Sequence, residues 1–271
     1  MNAVTIRYVL LWIISAAFLA AFASYASVST VNLGRPEFIT GYVLFGLILA
    51  LATLNARKKL SMVPLGRSAY WLAAHVVGGV AALGLFFVHT GNLWPTGAYE
   101  QALAIIFYLV TASGIFGYII QKVYPKRLVQ TELEIIYERI PAELAEIREK
   151  SEAIIIECTE KTGSDTLSRH YIETLRWYFR RPRFFISNAL GGAAAEHWLN
   201  QSSQTVSRYL NTEEHKHLDN LNKLGKYKLK IDFHYSCQSV MKYWLLTHVP
   251  LAAGMLGLIF WHVIVVNVYA V

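Results

Sequence analysis

The sequence contains only two cysteines, Cys158 and Cys237. Two thiols cannot complete the four-thiolate shell of an iron–sulfur cluster, and no C-x-x-C-H string is present to attach a c-type haem. Both cysteines fall in a polar segment that we place in the cytoplasm, where thiols stay reduced. We therefore expect two unlinked thiols and no cluster.

Nucleotide-binding signatures are also missing. No G-x-G-x-x-G string follows a predicted strand, and no P-loop string occurs. The net charge of +7 reflects a bias between loops and carries no nucleic-acid signature. These absences exclude a flavin or nucleotide site of known type, and they predict no nucleic-acid partner.

Charge is scarce over long stretches of the chain. Hydrophobic residues make up 55% of it and the mean hydropathy is +0.35, which is too apolar for an ordinary soluble domain. The sequence predicts an all-α integral membrane bundle with five transmembrane helices. Uncharged runs long enough to span a bilayer occur at about 8–26, 38–55, 68–90, 101–121 and 243–268.

The longest polar segment lies before the last apolar run. Residues 122–242 hold 19 Lys/Arg and 16 Asp/Glu, and their apolar positions follow helical spacing. We expect an inserted helical cytoplasmic domain here. Residues 1–121 then carry the first four membrane helices, and residues 243–271 carry the fifth, which completes the bundle.

The basic residues of the loops predict the orientation of the helices. Arg57, Lys58 and Lys59 follow the second apolar run, and Lys122 follows the fourth. The positive-inside rule then places the N-terminus and residues 122–242 in the cytoplasm and the C-terminus outside. The third and fifth helices consequently run in the same direction. A bacterial inner membrane is the expected location.

One stretch of twenty residues occurs twice. Residues 70–89 and 243–262 align without a gap and are identical at ten positions. Each copy carries two histidines with thirteen residues between them. The four histidines are His75 and His89 in the first copy and His248 and His262 in the second.

The histidine spacing suits a pair of parallel membrane helices. Fourteen steps turn a helix by roughly 1400°, about 40° short of four turns, and climb roughly 21 Å. His75 can then meet His248, and His89 can meet His262. Ionisable groups at this depth are costly and usually functional. Two stacked pairs of imidazoles favour two haem irons, each with two axial ligands.

A different class of function uses the same histidines without haem. Intramembrane histidines also serve in transporters and proton pathways. No Asp, Glu, Lys or Arg lies in either histidine-bearing run to complete such a relay. The haem interpretation is therefore favoured, with a histidine-based transporter or proton pathway as the alternative.

Two glycines occupy equivalent places in the two copies. Gly84 and Gly257 each lie nine residues after the first histidine. We predict that both bind the cofactor, because a residue without a side chain admits a flat ring against the backbone. Helix packing is an equally ordinary use of small residues in membranes.

The histidine pattern resembles that of the cytochrome b of bc-type complexes and of the membrane domain of NADPH oxidases and ferric reductases. The resemblance covers the two twenty-residue copies and implies two haem b groups, one on His75 and His248 and the other on His89 and His262. It implies an electron-transfer subunit of an oxidoreductase complex in a respiratory chain. The implied partners are a quinone or quinol and a c-type cytochrome or iron–sulfur subunit. The subfamily stays open, because the Pro-Glu-Trp-Tyr quinol-site sequence and a flavin domain are both missing.

A quinone has two candidate positions. The loop after His89 contains Tyr99 and Glu100, and an acid beside a redox cofactor can accept a quinol proton. Glu100 can equally serve only to favour the start of the fourth helix through the helix dipole. The other position is the basic side near Lys58, Lys59 and Arg67.

The segment 176–185, RWYFRRPRFF, mixes arginines with aromatic residues. Such a mixture is typical of a contact with lipid headgroups at a membrane surface. It is also compatible with a solvated, partly packed turn after a helix. The sequence leaves both interpretations open.

Overall fold

The computed structural model describes residues 3–59 and 68–269, and every regular element within these ranges is helical. Two short elements are not α-helical, namely a 3-10 turn at Tyr137–Arg139 and a π turn at Tyr171–Leu175. The helices in chain order are α1 Ala3–Val31, α2 Pro36–Lys59, α3 Ser68–Thr90, α4 Ala98–Val129, α5 Ile140–Thr162, α6 Thr166–His170, α7 Arg176–Phe179, α8 Phe185–Leu190, α9 Ala194–Ser207 and α10 Thr212–Tyr269.

Five of these helices are long and apolar enough to cross a membrane, namely α1 to α4 and α10. The prediction of an all-α chain with five membrane-capable helices is confirmed. The boundaries differ at two places, because α4 continues beyond residue 121 and α10 begins at Thr212 rather than near 243. In both helices the sequence changes between polar and apolar, but such a change does not interrupt backbone hydrogen bonding.

Contacts divide the chain into two compact units. We call residues 1–118 with 245–271 the apolar unit and residues 119–244 the polar unit. In the apolar unit, α3 packs against α2 and α1. Its buried cluster draws on α2, α3, α4 and α10 and consists of Leu44, Ile48, Ala82, Leu85, Phe86, Ala104, Phe107, Met255 and Ile259.

The outer surface of the apolar unit carries large hydrophobic side chains. Ile14, Ile115 and Trp261 are 63%, 57% and 56% exposed. Water would penalise such a surface, whereas lipid would not, because acyl chains are as apolar as these side chains. The exposed residues therefore fit a helical bundle whose surroundings are the hydrocarbon core of a membrane.

The polar unit has an apolar core formed by the buried faces of amphipathic helices. In α5 the buried positions Ile140, Leu144 and Ile147 follow the spacing that places side chains on one face of a helix. They pack with buried side chains from α6, the π turn, α7, α9 and α10, including Leu167, Tyr171, Leu175, Tyr178, Phe179, Leu199, Val206, Leu218, Leu221 and Ile231.

A buried ion pair lies within this core. Lys228 and Asp232 are one turn apart on α10, both side chains are fully buried, and Lys228 Nζ lies 2.6 Å from Asp232 Oδ2. The backbone N–H of Arg183 donates to the same oxygen at 3.3 Å. Lys228 Nζ also lies 4.1 Å from the centre of the Tyr178 ring. The pair thus ties α10 to the segment after α7, and each charge depends on the other for its solvation.

We expect Lys228→Met to destabilise the polar unit by about 3–5 kcal/mol, because it leaves the Asp232 carboxylate buried without its partner. Heating in the presence of a thiol-reactive dye measures this loss, since both cysteines are buried in the polar unit. The expected fall in Tm is roughly 10 °C or more.

The matched control is Lys230→Met, which removes an exposed lysine from the same helix and should leave the Tm almost unchanged. Adding Asp232→Leu to Lys228→Met should recover most of the lost stability, because no unpaired charge is then buried. Equal midpoints for both single variants would show that burying Asp232 without its partner does not destabilise the core.

Candidate functional site

The four repeated histidines lie on α3 and α10, within the apolar unit. The rings of His89 and His262 are close enough for their charges to interact. The same is true of His75 and His248. Each histidine of α3 thus has one histidine of α10 in its electrostatic neighbourhood, with one such pair towards each end of α3.

The histidine-bearing sides of α3 and α10 face the interior of the apolar unit. Ala82 and Met255 each lie seven residues after a histidine, which is about 700°, or nearly two full turns. Their side chains belong to the buried cluster, with exposures of 2% and 5%. Each histidine therefore shares its helix face with a core residue.

Carbonyl groups of α2 hold the two histidines of α3. His75 Nδ1 lies 3.1 Å from the carbonyl oxygen of Leu51, and His89 Nδ1 lies 3.1 Å from that of Glu37. A carbonyl oxygen only accepts hydrogen bonds, so Nδ1 must carry the hydrogen in both rings. In a neutral imidazole the lone pair then lies on Nε2. This is the usual arrangement of a metal-binding histidine, whose other ring nitrogen donates to a carbonyl group.

The His89 ring has two further neighbours on α2. The Thr40 hydroxyl lies 3.4 Å from His89 Nδ1 and also donates to the Pro36 carbonyl at 2.9 Å. A Cβ at Gly41 would lie only 2.8 Å from His89 Cε1. The absence of a side chain at Gly41 thus gives the imidazole its space.

Helix α4 supports His248 in a comparable way. The Ser113 hydroxyl lies 3.2 Å from His248 Nδ1. The neighbouring residue is Gly114, where a Cβ would be 3.7 Å from His248 Cε1, an ordinary contact distance. A polar group and a glycine beside the ring therefore recur on α4, although here the polar group is a side chain.

The surroundings of His262 include an aromatic ring. Tyr99 stacks on His262 with ring centres 6.1 Å apart and an angle of 17° between the planes. The Tyr99 hydroxyl donates to the Leu258 carbonyl of α10 at 2.6 Å. Tyr99 therefore fixes the start of α4 against α10, and its hydroxyl is engaged with the backbone.

Glu100 lies in the first turn of α4, and its carboxylate occupies the space beside Gly97. It is also close enough to His262 for the two charges to interact. A carboxylate at a helix N-terminus is stabilised by the helix dipole. Both sequence interpretations of Glu100 therefore remain compatible with its position. For the other quinone candidate, Arg67 and the side chains of Lys58 and Lys59 lie outside the described residues.

The geometry does not support a cofactor contact at the two repeated glycines. A Cβ at Gly84 would meet Leu19 of α1 at 2.8 Å, whereas one at Gly257 would meet nothing within 4 Å. Nine residues turn a helix by about 900°, so each glycine lies on the side opposite its histidines. Gly84 has a packing role against α1, and Gly257 is exposed.

The donor set limits what the site can hold. No group of three His, Cys, Asp or Glu side chains that could bind a bare metal ion occurs in the described part of the chain. Pairs of imidazoles suit an iron whose remaining ligands come from a macrocycle. The sequence matches no protein-family model, and no curated protein or solved structure matches it either.

Sequence reasoning missed the groups that hold the histidines. The carbonyls of Glu37 and Leu51 are backbone groups, which have no signature in the sequence. Gly41 and Gly114 left a signal, because each is a glycine inside an apolar run. Nothing in their spacing indicated which histidine each one contacts.

We expect Gly41→Ala to destabilise the apolar unit, because the added methyl group would displace the His89 ring from the Glu37 carbonyl. The control is Gly46→Ala on the same helix, where a Cβ meets nothing within 4 Å. That change should be neutral or stabilising by about 0.5–1 kcal/mol, since alanine is the better helix former. Thermal unfolding followed by circular dichroism in detergent measures both. Opposite signs are expected, and equal stabilisation by both changes would contradict the close contact at His89.

Proposed function

We propose that this chain is a membrane electron carrier that holds two haem b groups between α3 and α10. His75 and His248 would hold the iron of one haem, and His89 and His262 the iron of the other. The observation that carries the proposal is the pairing of four membrane histidines, two of which direct Nδ1 at a carbonyl group. That arrangement leaves Nε2 of His75 and His89 with the lone pair that binds iron.

The residues around the histidines fit this cofactor. Each bound haem would supply a one-electron couple, whose potential depends on its ligands and on the polarity around them. The chain supplies the groups that orient the imidazole rings and the side chains around them. The carbonyls of Leu51 and Glu37 fix the tautomer and the orientation of two rings, and the Ser113 hydroxyl lies beside a third. Phe107 and Met255 belong to the buried apolar cluster of the same unit.

The loop charges support a sidedness for the carrier. In our proposal the N-terminus and residues 122–242 are cytoplasmic, and the C-terminus is outside. The His75 pair then lies near the cytoplasmic surface and the His89 pair near the outer surface. Electrons would cross the membrane between them, in a bacterial inner membrane.

The carrier needs redox partners, because the sequence has no flavin, nucleotide or iron–sulfur motif. We propose a quinone or quinol on one side and a c-type cytochrome or iron–sulfur subunit on the other. The polar unit offers a folded surface of about 120 residues on which such a subunit could dock. The chain would then be one subunit of an oxidoreductase complex.

The ligand pairs make the first functional test. We expect His75→Ala and His248→Ala to remove the same haem, and His89→Ala and His262→Ala to remove the other, so that each variant keeps about half of the haem. Reduced-minus-oxidised spectra and redox titration of the purified variants measure this. His197→Ala, which removes an exposed histidine of α9, is the control and should keep both groups.

Two results would contradict the proposal in different ways. A purified wild-type protein with no b-type band would exclude the haem and favour the histidine-based pathway. If His75→Ala and His262→Ala lost the same haem, the haem proposal would stand. One of the two helices would then run opposite to the proposed direction. The spectrum thus tests the cofactor, and the grouping of the variants tests the pairing.

The position of the quinone is tested at Glu100. If quinol is oxidised beside His262, Glu100→Gln should slow quinol-driven haem reduction by about 100-fold or more, because the proton acceptor is lost while the shape is kept. Stopped-flow reduction measures the rate, and the haem content should not change. Wild-type kinetics would leave Glu100 with its role at the start of α4 and move the search to the basic side near Lys58, Lys59 and Arg67.

A further inference from the structure

A short helix of the polar unit exposes its apolar residues and buries a polar one. In α8, Ile186 and Leu190 are 71% and 77% exposed and lie one turn apart, so they share one face. Asn188 of the same helix is buried and donates from Nδ2 to the Arg183 carbonyl at 3.2 Å. A helix that faces water has the opposite distribution. The exposed face of α8 therefore fits an apolar environment.

Positive charge borders this apolar face. Arg180 and Arg181 are exposed just before α8, and the Arg183 guanidinium lies 4.1 Å from the centre of the Trp177 ring. Burial lowers the pKa of Arg183, and the charges of Arg181 and Arg180 lower it further. The positive charges of Arg180 and Arg181 thus act on Arg183 beside an apolar patch, against the attraction of Asp232. An anionic surface would relieve that repulsion.

Two contacts within the polar unit hold α8 near the ends of the apolar runs. Arg127 of α4 donates to the Leu190 carbonyl at 3.4 Å, and its guanidinium lies against Gly191. Arg127 is only six residues, or about 9 Å of helix, beyond the uncharged run that ends at Gln121. The Phe185 ring lies 6.3 Å from that of Tyr235, which precedes the apolar run of α10 by eight residues. Each contact places α8 within reach of the membrane surface.

We propose that Arg180, Arg181, Phe185, Ile186 and Leu190 form a membrane-contact face that binds anionic lipid headgroups of the bilayer the chain spans. Ile186 and Leu190 would enter the boundary between headgroups and acyl chains, where amphipathic helices bury their apolar side. Arg180 and Arg181 would pair with the phosphates. Trp177 adds an aromatic ring of the kind enriched at such interfaces. The inference does not depend on the haem.

A spin label on the full chain tests the membrane-contact face directly. Cysteine is introduced at Ile186, or at Leu190 as a second position, and the protein is reconstituted alone in lipid nanodiscs. The native cysteines are buried, so the label reacts at the new site. We expect a several-fold lower collision rate with a water-soluble nickel complex, and a higher rate with oxygen, than at the control site.

The control site is Ile156 of α5, an isoleucine that is 59% exposed. Glu152 and Glu160 lie one turn before and after it, so anionic lipid would repel that surface. A label at Ile156→Cys should contact the nickel complex freely. Unchanged thermal midpoints in the dye assay show that the labelled chains remain folded.

Varying the lipid composition tests whether the charges of Arg180 and Arg181 contribute to the membrane contact. In discs with phosphatidylglycerol the label at Ile186→Cys should lie deeper than in pure phosphatidylcholine. Adding Arg180→Gln and Arg181→Gln should abolish that difference. Nickel accessibility equal to that of the control site would overturn the proposal. So would shielding from both nickel and oxygen, because it would indicate a second protein copy on this face instead of lipid.

Discussion

A histidine inside a membrane helix must satisfy its polar ring nitrogens without water. In α3 the two histidines do so with carbonyls of α2, which already serve the backbone of that helix. The bond requires α2 to approach α3 closely, and Gly41 removes the side chain that would prevent it. The two imidazole contacts thus add to the apolar packing of α2 against α3. The same constraint brings α4 to α10, through Ser113 and Gly114 beside His248.

The two units solve the problem of buried charge differently. In the polar unit Lys228 and Asp232 form a direct ion pair within one turn of α10, where each charge neutralises the other. In the apolar unit the four repeated histidines are half-buried, and an imidazole is neutral when it carries a single ring hydrogen. A neutral ring keeps one lone pair available for a ligand, whereas the Lys228 ammonium has none and occupies Oδ2 of Asp232. This difference is why we assign a structural role to the first and a functional role to the second.

The sequence was sufficient for the features that depend on local pattern. The five membrane-capable helices followed from the length of the apolar runs, and the four histidines stood out because their spacing was repeated. The start of α10 was missed although the sequence marks it, because Asn211 and Glu214 bond each other's backbone N–H groups as in a capping box. The helix face of Gly84 could be calculated from the sequence, since nine residues place it half a turn from His75. Its contact with Leu19 could not, because Leu19 lies on another helix. Contacts between helices distant in sequence leave no local signal.

The hydrogen bonds from α3 to α2 also set an order of assembly. The ribosome completes residues 36–90 well before it reaches His248. Two imidazoles are therefore oriented by the α2 carbonyls within a single helical hairpin, before the opposing pair has been synthesised. The histidines of α10 can meet these rings only when the last apolar run joins the apolar unit. Insertion of α10 is thus the step at which an open half-site becomes a closed one.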